Sequence, residues 1–115
     1  MSNMQLRQLE CFRTLMLTGT MTRAAEELGI SQPAVSATIA GLEKHIGFTL
    51  FIRQAGRLSP TPEAYLFFNE VSRSLAAIEI TERAAAEIRR GKHGSLSIAA
   101  YPSISIALAQ TSPRS

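Results

Sequence analysis

The chain has 115 residues, 45% of them hydrophobic, and a formal net charge of +3. That length allows one small domain, or one with an extension, and the mild positive balance permits an anionic partner without demanding one. The single cysteine, Cys11, excludes an intramolecular disulfide framework and a cysteine-rich zinc site, and no apolar run approaches the ~18–20 residues of a membrane span.

Residues Met4 to Thr18 predict a first helix, with Leu6, Leu9, Phe12, Leu15 and Met16 at helical spacing and Cys11 on the same apolar face as a buried thiol. Gly19-Thr20 ends it, and Thr20 or Thr22 is available to cap the next. Met21 to Leu28 predicts that second helix, with the small pair Ala24-Ala25 and the apolar Leu28. Gly29 breaks it, and Ile30 reads as a core plug. Ser31 caps a third helix with Gln32 and Pro33 in its first turn, where a missing N–H costs nothing. Val35, Ile39, Leu42 and Ile46 then form one apolar stripe. The rest of that helix is small or polar at Pro33, Ala34, Ser36, Ala37, Ala40 and Gly41. A helix this thin on one side can approach another surface closely, as the second helix of a helix-turn-helix approaches the major groove.

The third helix should stop near Gly47. Phe48 to Ile52 is short, apolar and β-prone, Arg53 to Gly56 is a polar turn, and Arg57 to Ser59 is a second short strand ended by Pro60. Strand, Gly-containing turn and strand make a β-hairpin, a wing whose arginines would lie beside a DNA groove. Thr61-Pro62-Glu63 is a strong helix start, and no breaker follows until Gly91, so this helix could run about 29 residues, or about 43 Å. That is too long to fold back usefully on three short helices. Its apolar residues approximate a heptad, which predicts a dimer seam over Phe67, Val71, Leu75, Ile78, Ala85 and Ile88. Packing inside its own monomer is the alternative.

Gly91-Lys92-His93-Gly94 reads as a hinge, Ser95 to Ala100 as a strand, and Ile104 to Ala109 as the start of another helix before a polar tail. The expected layout is a DNA-binding domain over 4–61, a linker helix over 62–90, and a hinge with the opening of a further domain over 91–115. No Ser-His-Asp, Cys-His or metal-ligand spacing occurs, and no phosphate-cradling glycine loop, so neither an enzyme nor a cofactor or metal is expected. His45 and His93 read as solvated. No basic flank followed by an apolar core opens the chain, so the expected location is cytoplasmic, at the nucleoid.

LRQLECF, the TRAAEELGISQPAVS core, the Ile39 to Gly47 run with its Leu42-Glu43 pair, and Leu50-Phe51 with Arg53 following occur in this order. LSPTPEA from Leu58 and GSLSIAA from Gly94 complete the series. With these motifs the chain resembles the LysR-type bacterial transcriptional regulators from about Gln5 to Leu108, and some segments look most like the branch regulating amino-acid and opine metabolism. The resemblance implies a mainly α fold: a winged helix-turn-helix of three helices plus a β-hairpin wing, followed by a long dimerisation helix and then an effector domain. It implies DNA contacts at Ser31, Gln32, Pro33 and Ser36 in the recognition helix, with Ala34 and Ala37 on the same surface. Arg53 and Arg57 in the wing and Thr22 with Arg23 at the start of the preceding helix complete the set. Gln32 suits adenine, and Pro33 or Ala34 a thymine methyl. The plain reading of Ser31 is a helix cap, and of Arg53 a solvated turn charge.

Two departures from the family pattern stand out. Many members carry arginine where this chain has Ala37, and members continue for roughly two hundred residues more. The leading expectation is a dimeric reader of a pseudo-palindromic site in double-stranded DNA, without response to a small-molecule effector. The alternatives are a heterodimerisation module that poisons full-length relatives, and a non-functional gene fragment.

Overall fold

Three helix starts in this chain are written by hydroxyl caps. The computed structural model describes residues 4–91, and in it Thr20, Ser31 and Thr61 each accept a hydrogen bond from the backbone N–H three residues on, those of Arg23, Ala34 and Ala64. The elements are α1 (Leu6–Thr18), α2 (Met21–Leu28), α3 (Gln32–Ile46), β1 (Phe51–Gln54), β2 (Arg57–Pro60) and α4 (Pro62–Arg89). The first helix begins at Leu6, two residues later than its apolar pattern suggests. Its start is fixed by the Gln8 side-chain oxygen, which accepts the Gln5 N–H at 2.9 Å.

The turn between α2 and α3 is a Schellman closure. Gly29 takes φ +68°, its N–H donates to the Glu26 carbonyl, and the Ile30 N–H reaches back to the Ala25 carbonyl at 3.1 Å. A residue with a Cβ would be strained in this left-handed conformation, so glycine ends the helix at least cost. Ala24 and Ala25 are buried, and their small size lets α2 lie close against its neighbours.

The chain divides into two units between Ala77 and Ile78. The core of the first is built from Phe12 and Leu15 of α1, Val35, Ile39 and Leu42 of α3, Leu50 before the wing, and Ala64, Val71 and Leu75 of α4. Phe12 is fully buried, and its ring lies 5.9 Å from Phe51, 5.3 Å from Phe67 and 6.4 Å from Phe68. Phe48 adds an edge contact to Phe67 at 5.8 Å, so all five phenylalanines of the sequence join one cluster. Cys11 is buried there too.

This cluster corrects the reading of α4. Its opening turns pack against Phe12 of α1. Val71 and Leu75, expected on a dimer seam, are 2% and 3% exposed within this chain, and Phe67 is half-buried against Phe12. Thr61 explains why. Its hydroxyl donates to the Thr49 carbonyl at 2.7 Å, its N–H donates to the Leu50 carbonyl at 2.9 Å, and its oxygen caps α4. The helix is thereby pinned to the wing base with one face turned onto Phe12. The first compact unit runs to Ala77.

The second unit, described over residues 78–91, holds the remainder of α4. Here Ile78 is half-buried, while Ala85, Ile80 and Ile88 are exposed. No helix among the described residues is long and apolar enough to cross a membrane. The expected hinge beyond Gly91, the strand at 95–100, the helix at 104–109 and His93 lie outside the described residues.

The wing is an antiparallel pair, with Phe51 opposite Pro60 and Gln54 opposite Arg57. Its first strand starts at Phe51 rather than Phe48, and Arg53 and Gln54 belong to the strand rather than the turn. The loop is only Ala55-Gly56, with φ +52° and +76°. Positive φ at both positions is the two-residue hairpin geometry that matches strand twist.

Candidate nucleic-acid interface

Two helix N-termini and the wing converge on one side of the first unit. A cleft of about 530 Å³ is lined by Thr22 of α2, Gln32 of α3, and Arg53 and Arg57 of the wing, with Met21 and Leu58 among its apolar members. A smaller recess of about 250 Å³ brings Arg53 against Gln32, Pro33 and Ser36. A third, of about 210 Å³, places Arg53 beside Ser36, Ala40 and Glu43. Residues from four separate stretches of sequence therefore meet around one arginine.

The exposed face of α3 carries Ser31, Gln32, Pro33, Ser36, Ala37 and Ala40, while Ala34 is half-buried. Of the apolar stripe predicted on its other side, Val35 and Leu42 are fully buried, Ile39 nearly so and Ile46 half-buried. The sequence is thus divided by helical period into a packed face and a thin outer one. The Ser31 hydroxyl does act as the cap, yet it still owns a hydrogen to donate. Thr38 is turned back on its own helix and donates to the Ala34 carbonyl at 2.8 Å.

Arg53 and Arg57 are exposed. The positive end of the α3 dipole lies beside them, although Pro33 has no N–H and the N–H groups of Ala34 and Val35 are already held by Ser31. Together these place two guanidinium groups and one amide side chain around one cleft. Arg23, Ser31, Ala34 and Ala37 line none of the three clefts. Arg23 is exposed on α2, with its N–H held by the Thr20 cap.

Two residues of this site carried no readable sign of it. Met21 lines all three clefts. An apolar residue at the first position of a helix reads as core. Glu43 accepts the Leu50 N–H at 2.6 Å and the Phe51 N–H at 3.3 Å through one carboxylate oxygen. The Leu42-Glu43 pair was visible as a motif, but a side chain reaching seven and eight residues ahead is a tertiary event that no local pattern encodes. The bond to Leu50 also occupies an amide that a longer β1 would use.

Compared with known families, residues 6–65 match the bacterial regulatory helix-turn-helix protein family, lysR family. The regulatory protein NocR of Agrobacterium fabrum (strain C58 / ATCC 33970) is 50% identical over 97 residues, covering 84% of this chain and 32% of NocR. The octopine catabolism/uptake operon regulatory protein OccR of Rhizobium meliloti is 42% identical over 101 residues, covering 88% of this chain and 34% of OccR. The chain thus spans about a third of the length of these relatives. Among solved structures, the BenM DBD in complex with catB site 1 DNA superimposes with a TM-score of 0.73 at 30% identity, over 78% of this chain and 97% of that one.

Proposed function

The chain belongs to the LysR family of bacterial helix-turn-helix regulators, and from that premise we propose that it binds double-stranded DNA as a homodimer and reads a pseudo-palindromic site. The observation that carries this is the meeting of Thr22, Gln32, Arg53 and Arg57 around one cleft at the N-termini of α2 and α3. A DNA complex of a similar domain supports the surface as a nucleic-acid face.

The division of labour follows from chemistry. Thr22, Ser31, Arg53 and Arg57 address phosphates and set the orientation of the unit on the duplex. Gln32 offers the paired donor and acceptor that match the major-groove edge of adenine, while Pro33 and Ala34 offer apolar contact to a thymine methyl. Arg23 is placed to reach the backbone flanking α2. Ala37 keeps the middle of α3 thin and contributes no hydrogen bond, so discrimination rests on the first turn of α3 and on Ser36.

Dimerisation is assigned to the later turns of α4. Ile80 and Ile88 are apolar and 58% and 51% exposed among the described residues, and Ile78 and Ala85 lie in the same stretch. Two recognition helices held by paired α4 segments would meet two half-sites on one face of the duplex. Selection of binding sites from a random DNA pool tests this reading. The expected product is a sequence with two inverted half-sites, bound by two chains per duplex in sedimentation. Enrichment of a single asymmetric site bound by one chain would contradict it.

A further inference from the structure

We propose that Glu43 is the positioning residue that sets the wing against the recognition helix, and through it the contribution of Arg53 to DNA binding. This rests on the DNA-reading surface described above and goes beyond it, because Glu43 acts through the backbone of the wing.

Leu50 is clamped from two sides. Its carbonyl receives the N–H and the hydroxyl of Thr61, at 2.9 and 3.3 Å, and its N–H donates to the Glu43 carboxylate at 2.6 Å. Of the two clamps, only Glu43 stands on α3. The same oxygen takes the Phe51 N–H at 3.3 Å, so the recognition helix grips the first residue of the wing directly. Such charge-assisted bonds are shorter and stronger than neutral ones. Phe51 and Arg53 are two apart on β1, so they share a strand face. Fixing the backbone at Phe51 therefore fixes the direction in which Arg53 leaves the strand. That direction is toward α3, since Arg53, Ser36, Ala40 and Glu43 line one recess. Without the carboxylate, the N–H of the fully buried Leu50 loses its partner. The wing base must then shift to recover one, and Arg53 moves with it.

The test is a double-mutant cycle on the full chain with Glu43→Ala, Arg53→Ala and the pair, using Glu43→Gln in place of Glu43→Ala if the latter fails to fold. The probe is a labelled duplex of about 30 base pairs enriched by the unsubstituted chain from a random pool. Amide exchange at Leu50 and Phe51 is measured alongside by NMR, without DNA. Arg53→Ala alone should weaken binding about tenfold and lower the salt slope by about one. In the Glu43→Ala background the same change should add less than about twofold, the mark of coupled residues. Glu43→Ala should also speed exchange at Leu50 and Phe51 by at least about tenfold while α1 and α2 amides hold, with Glu43→Gln intermediate.

Equal losses from Arg53→Ala in both backgrounds, or unchanged exchange at the two amides, would overturn the proposal and leave the DNA-reading surface standing. If the unsubstituted chain prefers no duplex at any salt, the DNA reading falls and Glu43 loses its part in binding. The exchange data then judge its hold on the wing alone.

Discussion

The Ser31 hydroxyl accepts the Ala34 N–H at 3.2 Å, which leaves its own hydrogen for a phosphate oxygen. Ser31→Ala should therefore cost about 1 kcal/mol in a denaturant melt, and lower DNA affinity beyond what that loss explains. Gln32 is different, because it is exposed and serves no cap. Gln32→Ala should leave stability within about 0.5 kcal/mol. It should remove about 1–3 kcal/mol of discrimination at one base pair of the selected site, read by competition with single-base variants. Cys11 gives a pH effect of known sign. Burial pushes its thiol above the ordinary value of 9.0, and the nearby Arg7 pulls it partly back. The folded chain therefore holds this proton more tightly than the unfolded one. The stability it contributes is complete below pH 9.0 and is lost as pH rises through the window above it. Urea melts should show a steeper decline between neutral and alkaline pH for the natural chain than for Cys11→Ala.

Helix ends were legible in the sequence because each is settled by chemistry within a few residues. Thr20, Ser31 and Thr61 cap as their residue types and the following Pro33 and Pro62 suggest, and Gly29 closes α2. The wing was legible as a hairpin but not in register. Ala55 is no turn signal, yet it takes φ +52° beside Gly56. The bonds from Glu43 that set the start of β1 come from another element. Alanine in the left-handed region is strained, whereas asparagine tolerates it. Ala55→Asn should raise stability by about 0.5–1 kcal/mol, measured as a shift in the urea midpoint at constant slope. Thr61 is buried and satisfies two carbonyls and one N–H. Thr61→Val should cost about 1–3 kcal/mol, and Thr61→Ser should recover most of it.

Over the whole chain, one helix is buried along its first turns and exposed along its later ones, and the sequence could not separate the two parts. A stripe at heptad spacing looks the same whether it packs on its own core or on a second copy. Val71 and Leu75 proved to be core because Phe12 and the Thr61 clamp lie upstream of them, whereas Ile80 and Ile88 stay exposed. Leu75→Ala should thus lower the stability of the chain by about 2–5 kcal/mol at any protein concentration. Ile88→Ala should leave that stability nearly unchanged at low concentration and weaken self-association, as measured by sedimentation equilibrium. On the proposed function, a LysR-family surface built on Gln32, Ser36 and Arg53 reads DNA sequence. The most direct measurement is a salt titration of the purified chain on its selected duplex against a scrambled duplex of the same composition. Binding to the selected duplex should be tighter at every salt, with both affinities falling steeply as salt rises. Equal affinity for the two duplexes throughout the titration would contradict it.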